Sequence, residues 1–103
     1  MSNSFLQGRI VLLMLHLIAY DVSNAKRLRR IARICEDYGV RIEKSVFECS
    51  LDGKAFQNLW AKLADIVTDA DSIIDYPIGL LDQKRILTLG GVTRHEPETT
   101  YVF

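Results

Sequence analysis

The spacing of apolar and polar positions along this chain predicts alternating strands and helices. Apolar side chains fill almost every position from 11 to 20, which is typical of a strand buried at the centre of a sheet. Between residues 25 and 38 the apolar positions recur at helical spacing, which predicts a helix with one buried face. Gly39 comes directly after this pattern and indicates the end of the helix.

The second half of the chain continues with strand and helix patterns. Residues 40–51 carry two short apolar runs, and the Lys44–Ser45 step between them predicts a very tight connection between two strands. A helical pattern covers residues 54–69, and residues 72–79 and 84–90 have the composition of strands. The predicted order is therefore strand, helix, strand, strand, helix, strand and one extra C-terminal strand.

This order predicts an α+β domain with the ferredoxin-like, or split βαβ, arrangement. In that fold two helices cover one face of an antiparallel sheet, and the opposite face still needs a cover. A second copy of the chain supplies a simple cover, so we expect a homodimer that packs sheet to sheet. The extra strand at 84–90 and the apolar end of the tail are candidates for pairing with that second copy.

Charge is spread unevenly along the chain, although 13 basic and 13 acidic residues give a formal net charge of zero. Seven of the 13 Lys and Arg residues lie between Lys26 and Lys44, and most acidic residues follow Glu48. We therefore expect one positive face and exclude a uniformly basic coat for nucleic acid. Four carboxylates do not have the spacing of a metal-binding loop, so we expect them to form a solvated acidic edge: Asp65, Asp69, Asp71 and Asp75.

At 103 residues the chain is long enough for one domain with its own core. Cys35 and Cys49 stand alone, without a CxxC motif or clustered histidines, which excludes a zinc site and a disulfide framework. Reduced cysteines favour a cytoplasmic protein. The apolar run is shorter than the ~20 residues that span a bilayer. No cleavage pattern of a signal peptide follows it, so we expect no membrane partner.

Asp21 is the first candidate for chemistry, because it ends the buried run as a lone carboxylate directly before the basic helix. A carboxylate there can bind a hard divalent cation, Mg²⁺ or alternatively Mn²⁺, whose remaining ligands are waters. A two-fold axis would bring together two such carboxylates from one sequence position. The alternative is that Asp21 caps the start of the helix through the amides of Ser23 or Asn24.

A row of cations follows Asp21 and forms the second candidate site, for nucleic acid. Its members are Arg27, Arg29, Arg30 and Arg33 on the predicted helix, and Arg41 and Lys44 beyond it. Such a cluster can hold a phosphate backbone, which gives affinity and register without reading the bases. No aromatic residue interleaves with it, so tracking of a duplex fits better than stacking on splayed bases. The alternative is an ordinary solvated helix face.

Four motifs together carry a resemblance to a known family. They are Tyr20-Asp21-Val22-Ser23, the basic stretch Lys26–Ile31, Tyr38-Gly39 and Lys44-Ser45-Val46-Phe47-Glu48. At this spacing the chain resembles the CRISPR-associated protein 2 family. Family members begin a few residues before the Tyr-Asp pair. The resemblance therefore implies an N-terminal extension at 1–13, a ferredoxin-like domain at 14–90 and a C-terminal tail at 91–103.

The resemblance implies a homodimer that works in CRISPR adaptation, where it joins the integrase CRISPR-associated protein 1 and helps to insert new spacers. Family members are also described as metal-dependent endonucleases that act on single-stranded RNA or double-stranded DNA. By the same resemblance, Asp21 is the metal-binding and candidate catalytic carboxylate, placed where two protomers meet. Three residues take supporting roles: Tyr20 in packing, Ser45 as a donor to phosphate or metal-bound water, and Phe47 in packing near the Asp21 pair.

Two rival functions stay open at this point. The first is a metal-dependent ribonuclease or deoxyribonuclease whose cleavage activity is its main function. The second is a toxin-like or RNA-binding ferredoxin-fold module that acts without an integrase partner. The basic helix fits the scaffold and both rivals.

Overall fold

The structure is a computed structural model that describes residues 10–102, without the side chains of residues 101 and 102. Most of the predicted extension at 1–13 lies outside the described residues. The elements in chain order are β1 (Ile10–Leu12), β2 (Met14–Asp21), α1 (Ala25–Tyr38), β3 (Val40–Glu43), β4 (Val46–Leu51), α2 (Gly53–Ala64), β5 (Ser72–Ile78), α3 (Leu80–Gln83) and β6 (Thr100–Val102). No helix in this part of the chain has the length and apolar character needed to cross a membrane.

Four strands form the main antiparallel sheet, in the spatial order β3-β4-β2-β5. β2 is central and pairs with β4 on one side and with β5 on the other. α1 connects β2 to β3, α2 connects β4 to β5, and both helices pack on the same face of the sheet. This is the split βαβ arrangement, so the predicted fold class is confirmed.

Successive side chains of β2 point to opposite faces of the sheet and therefore lie in two different environments. Ile18 and Tyr20 face the helices and belong to the core, which also contains Phe47 of β4 and Ile31 of α1. Burying a side chain of this size stabilises a fold by about 1.5–3 kcal/mol. This layer therefore supplies much of the driving force for folding. The odd-numbered residues of β2 point to the opposite side of the sheet, which we call the helix-free face.

α1 begins and ends where its sequence predicts. The side chain of Asn24 accepts a hydrogen bond from the Arg27 amide at 2.9 Å and so caps the first turn. Ile31 and Cys35 are one turn apart and fully buried against the sheet. Most of the cationic residues of α1 therefore lie towards solvent.

Gly39 ends α1 for a steric reason. Its φ of −168° is extended backbone that any residue adopts, and its amide donates to the Cys35 carbonyl at 3.0 Å. A Cβ placed on Gly39 would overlap the Glu48 carbonyl oxygen and the Cys49 sulfur of β4. Glycine is therefore required because the chain passes closely over β4.

α2 is shorter than its sequence predicts. The Asp52 side chain caps its first turn by accepting a hydrogen bond from the Ala55 amide at 2.8 Å. The helix ends at Ala64, although the pattern predicted helix to residue 69. Beyond it, the Asp71 carboxylate accepts hydrogen bonds from both the amide and the hydroxyl of Thr68, at 3.0 and 3.1 Å. These bonds hold the segment in turns and so compete with further helix.

The hairpin and the edge of the sheet agree with the sequence. Lys44 and Ser45 form the two-residue turn between β3 and β4. β5 lies at one edge of the sheet and contains Pro77, which has no amide to donate and is tolerated at an edge.

Two strand predictions were wrong. The apolar run from 11 to 20 is not one strand, because it divides at Leu13 and β1 leaves the main sheet to pair with β6. Residues 84–90 do not form a strand, and the last strand is β6 instead. Within the described chain no strand pairs with 84–90, so this segment lacks the hydrogen bonds between neighbouring strands that define a sheet. Leu87 and Leu89 are accordingly more than nine-tenths exposed.

We expect Gly39→Ala to lower the free energy of unfolding by about 1–3 kcal/mol, because the added methyl group overlaps β4. Gly53→Ala is the matched control, since nothing lies within 4 Å of a Cβ placed there. Urea denaturation of both variants measures the difference. Equal stability of the two variants would contradict the close approach at Gly39.

Candidate functional site

Asp21 is the last residue of β2 and lies at one end of the main sheet, opposite Ser72 of β5. Its side chain is exposed. The alternative in which Asp21 caps the loop before the helix is wrong, because the described residues show no hydrogen bond from the Ser23 or Asn24 amide to its side chain. Among residues 10–102 the Asp21 carboxylate forms no hydrogen bond or ion pair. Asp21 therefore offers a carboxylate that is available to a ligand.

A groove of about 450 Å³ runs from Asp21 between α1 and the turn that joins β3 to β4. Its polar side chains are Asp21, Ser45, Arg29, Arg41 and Lys44, and apolar residues of α1 form part of its wall. Three cations and one carboxylate give the groove a positive charge. This combination suits a phosphate group, with Asp21 as the one position that attracts a cation.

Arg41 is the cation of the groove whose orientation is fixed. Its guanidinium donates to the Lys44 carbonyl at 2.6 Å, lies 3.5 Å from Glu36, and sits 5.0 Å from the centre of the Phe47 ring. The side chain is still 42% exposed. Arg41 is therefore a positioned donor with room for a ligand.

Arg27 is held by a contact that the sequence did not predict. Its guanidinium donates two hydrogen bonds to the Asp71 carboxylate, at 2.9 and 3.1 Å. The Asp71 side chain is fully buried, and the Asp71 bonds raise the pKa of Arg27 above its ordinary value. Arg27 thus joins α1 to the loop before β5, and it is not available to phosphate without breaking this pair.

The remaining cations of α1 form an exposed row. Lys26, Arg29, Arg30 and Arg33 lie on the side of the helix away from its buried residues, and all four are exposed. In the described part of the chain they form no ion pair. A row of unpaired cations on one helix face can bind an extended anion at little cost, because no existing pair must be broken.

The three supporting residues occupy different positions around the groove. Tyr20 forms part of its inner wall, is 6% exposed, and carries a hydroxyl without a hydrogen-bond partner among the described residues. Burial raises the pKa of the Tyr20 phenol, which keeps it a neutral donor. Ser45 lines the groove, and Phe47 is fully buried beneath it, stacked on Tyr20 at 6.2 Å.

The residues of one chain make only part of a metal site. In the described chain no group of three or more His, Cys, Asp or Glu residues is placed to hold a metal ion. Asp21 alone supplies one carboxylate, whereas Mg²⁺ needs six oxygens and keeps several as water. The donor set therefore fits a largely hydrated cation only if a second copy or a bound phosphate adds further oxygens.

The buried titratable groups elsewhere serve packing. Burial raises the pKa of Cys35 to about 11 and of Cys49 to about 12, so neither thiol is a nucleophile near neutral pH. His16 is buried, lies 2.9 Å from Asp75 and stacks on Phe56 at 4.2 Å.

The predicted acidic edge is only partly correct. Asp71 and Asp75 are buried in pairs with Arg27 and His16, while Asp65 and Asp69 are exposed.

Comparison with known proteins identifies the family. A family model described as CRISPR associated protein Cas2 matches residues 14–86. The CRISPR-associated endoribonuclease Cas2 of Nitratidesulfovibrio vulgaris is 36% identical over 91 residues, which cover 82% of this chain and 89% of that protein.

Solved structures agree with this family. Streptococcus pyogenes Cas2 matches with a TM-score of 0.68 at 41% identity, covering 75% of this chain and 100% of that one. A chain from a partial Cas6-RT-Cas1–Cas2 complex matches with a TM-score of 0.67 at 27% identity, covering 74% of this chain and 90% of that one.

Because of the Arg27–Asp71 pair, the stability of the fold depends on pH. The Arg27 guanidinium and then the Thr68 amide lower the pKa of Asp71 to about 2. Asp71 therefore stabilises the fold above its unfolded pKa of about 3.9, and this contribution is lost as the pH falls towards 2. We expect Asp71→Asn to lower the Tm at pH 7 and to flatten the acid dependence between about pH 4 and 2.

Circular dichroism melts across this pH range measure both effects. Asp69→Asn is the matched control, because Asp69 is exposed in the same loop. An Asp71→Asn variant with the Tm and acid profile of the control would contradict a stabilising pair.

Proposed function

Because the chain belongs to the CRISPR associated protein Cas2 family, we propose that it acts in CRISPR spacer acquisition as a dimeric scaffold that binds duplex DNA and the integrase Cas1. The observation that carries this proposal is the exposed, unpaired row of cations on α1: Lys26, Arg29, Arg30 and Arg33. We place this work in the cytoplasm, where the free thiols of Cys35 and Cys49 would stay reduced.

The spacing of the cation row supports a duplex as its ligand. From Lys26 to Arg33 the helix rises by about 10 Å, which equals the rise of about three base pairs of 3.4 Å each along a duplex axis. The row continues into the groove through Arg29, where Arg41 and Lys44 add charge. Contacts of this kind fix register on a backbone without reading sequence.

The integrase as partner is supported by similarity to a chain from a complex that contains Cas1 and Cas2. A scaffold between integrase subunits needs two equivalent faces, which a homodimer supplies by symmetry. On the helix-free face Ile74 and Tyr76 are about half exposed. Apolar side chains concentrated there support a second copy as their cover.

A metal-dependent cleavage of phosphodiesters at the groove is a secondary activity in this proposal. The name of the Nitratidesulfovibrio vulgaris relative, an endoribonuclease, supports RNA as a substrate. We propose single-stranded RNA, beside double-stranded DNA, as what this chain cleaves. Asp21 from each of two copies would hold Mg²⁺ or Mn²⁺, and a bound metal ion supplies Lewis-acid activation of phosphate and water.

The other residues of the groove would act on the phosphate itself. Arg29, Arg41 and Lys44 would bind the scissile group and offset charge that develops on its oxygens. Ser45 would donate a hydrogen bond, and the partner-free hydroxyl of Tyr20 lies in the wall of the same groove.

The Asp21→Asn variant tests whether the chain acts mainly as a scaffold or mainly as an enzyme. It removes the charge that attracts a cation and keeps the shape of the side chain. We expect cleavage to fall by about 10- to 100-fold, while spacer integration with Cas1 continues. Asp69→Asn, an exposed carboxylate away from the groove, is the control. Loss of both activities would favour cleavage as the main function, and unchanged cleavage would remove Asp21 from the site. Failure of this chain to bind Cas1 would favour the RNA-binding or toxin-like module.

Charge reversal on α1 tests the duplex interface. We expect Arg30→Glu with Arg33→Glu to weaken duplex binding and to reduce the slope of log K against log salt by about 1 for each lost contact. Arg85→Glu reverses one charge at a residue outside α1, a change of −2 against −4 for the double variant, and should leave the slope unchanged. Titrations at several salt concentrations measure this. Wild-type affinity and slope in the double variant would contradict the α1 interface.

A further inference from the structure

Two serine residues lie on either side of Asp21 at its end of the main sheet. Ser72 is the first residue of β5 and pairs directly with Asp21 across the β2–β5 ladder. Ser45 lies on the other side, where its carbonyl accepts a hydrogen bond from the Tyr20 amide at 3.1 Å. Ser45 belongs to the groove already described, whereas Ser72 lines a different cavity. Ser72 therefore has no part in the function proposed so far.

Ser72 and Asp21 point to the same side of the sheet. Residues directly opposite each other in an antiparallel pair share one face, with Cβ atoms about 4.5–5.5 Å apart. Both side chains are thus on the helix-free face. The Ser72 side chain is exposed, and within residues 10–102 its hydroxyl forms no hydrogen bond. The hydroxyl oxygen is therefore available beside the Asp21 carboxylate.

The residue before Ser72 fixes the start of β5. The Asp71 side chain is fully buried and accepts two hydrogen bonds from the Arg27 guanidinium. It accepts two more, from the amide and the hydroxyl of Thr68. These bonds connect this end of β5 to α1 and to the preceding loop. Ser72 is thus held beside Asp21 before any ligand binds, and a preorganised group avoids the cost of being ordered on binding.

The two sides of Asp21 differ in charge. On the groove side, three cations make the surroundings positive. On the β5 side, Ser72 lines a cavity of about 510 Å³, whose described lining contains Asp69 and Asp71 and neither Lys nor Arg. Arg27 offsets the charge of Asp71, so the charge of Asp69 is left over. Phosphate is therefore attracted to the groove side of Asp21, and a cation to the β5 side.

We propose that Ser72 is a positioning residue for the hydrated cation of Asp21, and that its hydroxyl accepts a hydrogen bond from a water of that cation. This inference rests on the cation of the proposed cleavage activity. Waters on a divalent cation are strong donors, and a hydroxyl oxygen beside the carboxylate can orient one of them. In a dimer, the two-fold axis would add the same hydroxyl from the second copy.

We expect Ser72→Ala to weaken Mn²⁺ binding by about tenfold. Loss of a group that orients a metal ligand lowers metal affinity by about 10- to 100-fold. Ser72→Thr keeps the hydroxyl, and a β-branched residue suits a strand, so this variant should keep the wild-type affinity. A residue that served only packing would not show this rescue by the conservative variant.

Electron paramagnetic resonance of free Mn²⁺, in titrations of the full chain, measures this affinity independently of cleavage. Asp21→Asn is the reference for loss of the cation site. Ser50→Ala is the matched control, because Ser50 is on the same face but pairs with Leu15 near the other end of β2. We expect Ser50→Ala to bind Mn²⁺ as the wild type does.

Duplex binding in EDTA distinguishes a role towards the cation from a role towards phosphate. Without metal, Ser72→Ala should bind duplex DNA with the affinity and salt dependence of the wild type. Weaker binding in EDTA would overturn the inference, because the hydroxyl would then be a phosphate ligand. Ser72→Thr that binds Mn²⁺ as weakly as Ser72→Ala would also overturn it, because the hydroxyl would then have no effect.

Two further outcomes distinguish this inference from the proposed function. Wild-type Mn²⁺ affinity in Ser72→Ala, together with weaker binding in Asp21→Asn, would overturn the role of Ser72 and leave the cation site of Asp21 intact. Equal Mn²⁺ binding by the wild type and Asp21→Asn, including no binding by either, would overturn that cation site and the inference together.

Discussion

The alternation of side chains along β2 is the constraint on which the rest of the structure depends. One strand must bury Ile18 and Tyr20 under the helices, and the same geometry sends Leu15 and Asp21 to the helix-free side. A shift of register by one residue would exchange the two faces and bury the Asp21 carboxylate, so packing of the core also fixes the site. Each face of the sheet needs its own cover, and the alternation along β2 decides which side chains each cover must bury.

The local part of this arrangement could be predicted from sequence because it depends on neighbouring residues. Helical spacing gave the bounds of α1, and the Lys44–Ser45 step gave the hairpin. The place of Asp21 at a strand end was predictable for the same reason, since it directly follows the buried run. The residues that line the groove with Asp21 belong mostly to α1 and to the turn between β3 and β4, which lie close to Asp21 in sequence.

What could not be predicted depends on contacts between distant residues. Arg27 and Asp71 are 44 residues apart, so no local pattern joins them. This contact removes Arg27 from the predicted phosphate cluster. The strand expected at 84–90 failed for a related reason, because a strand exists only with a paired neighbour and residues 10–102 of one chain provide none. A second copy is the natural source of that neighbour.

The most direct test of the central claim is a crystal structure of the dimer grown with Mn²⁺, read by its anomalous scattering. The account predicts two subunits that meet across the helix-free face, with an anomalous peak on the two-fold axis between the two Asp21 carboxylates. Metal–oxygen bonds of about 2.1 Å would bring the carboxylate oxygens to within about 4 Å of each other, or somewhat more with an intervening water. A dimer whose axis leaves the two Asp21 side chains far apart, without a peak between them, would contradict it.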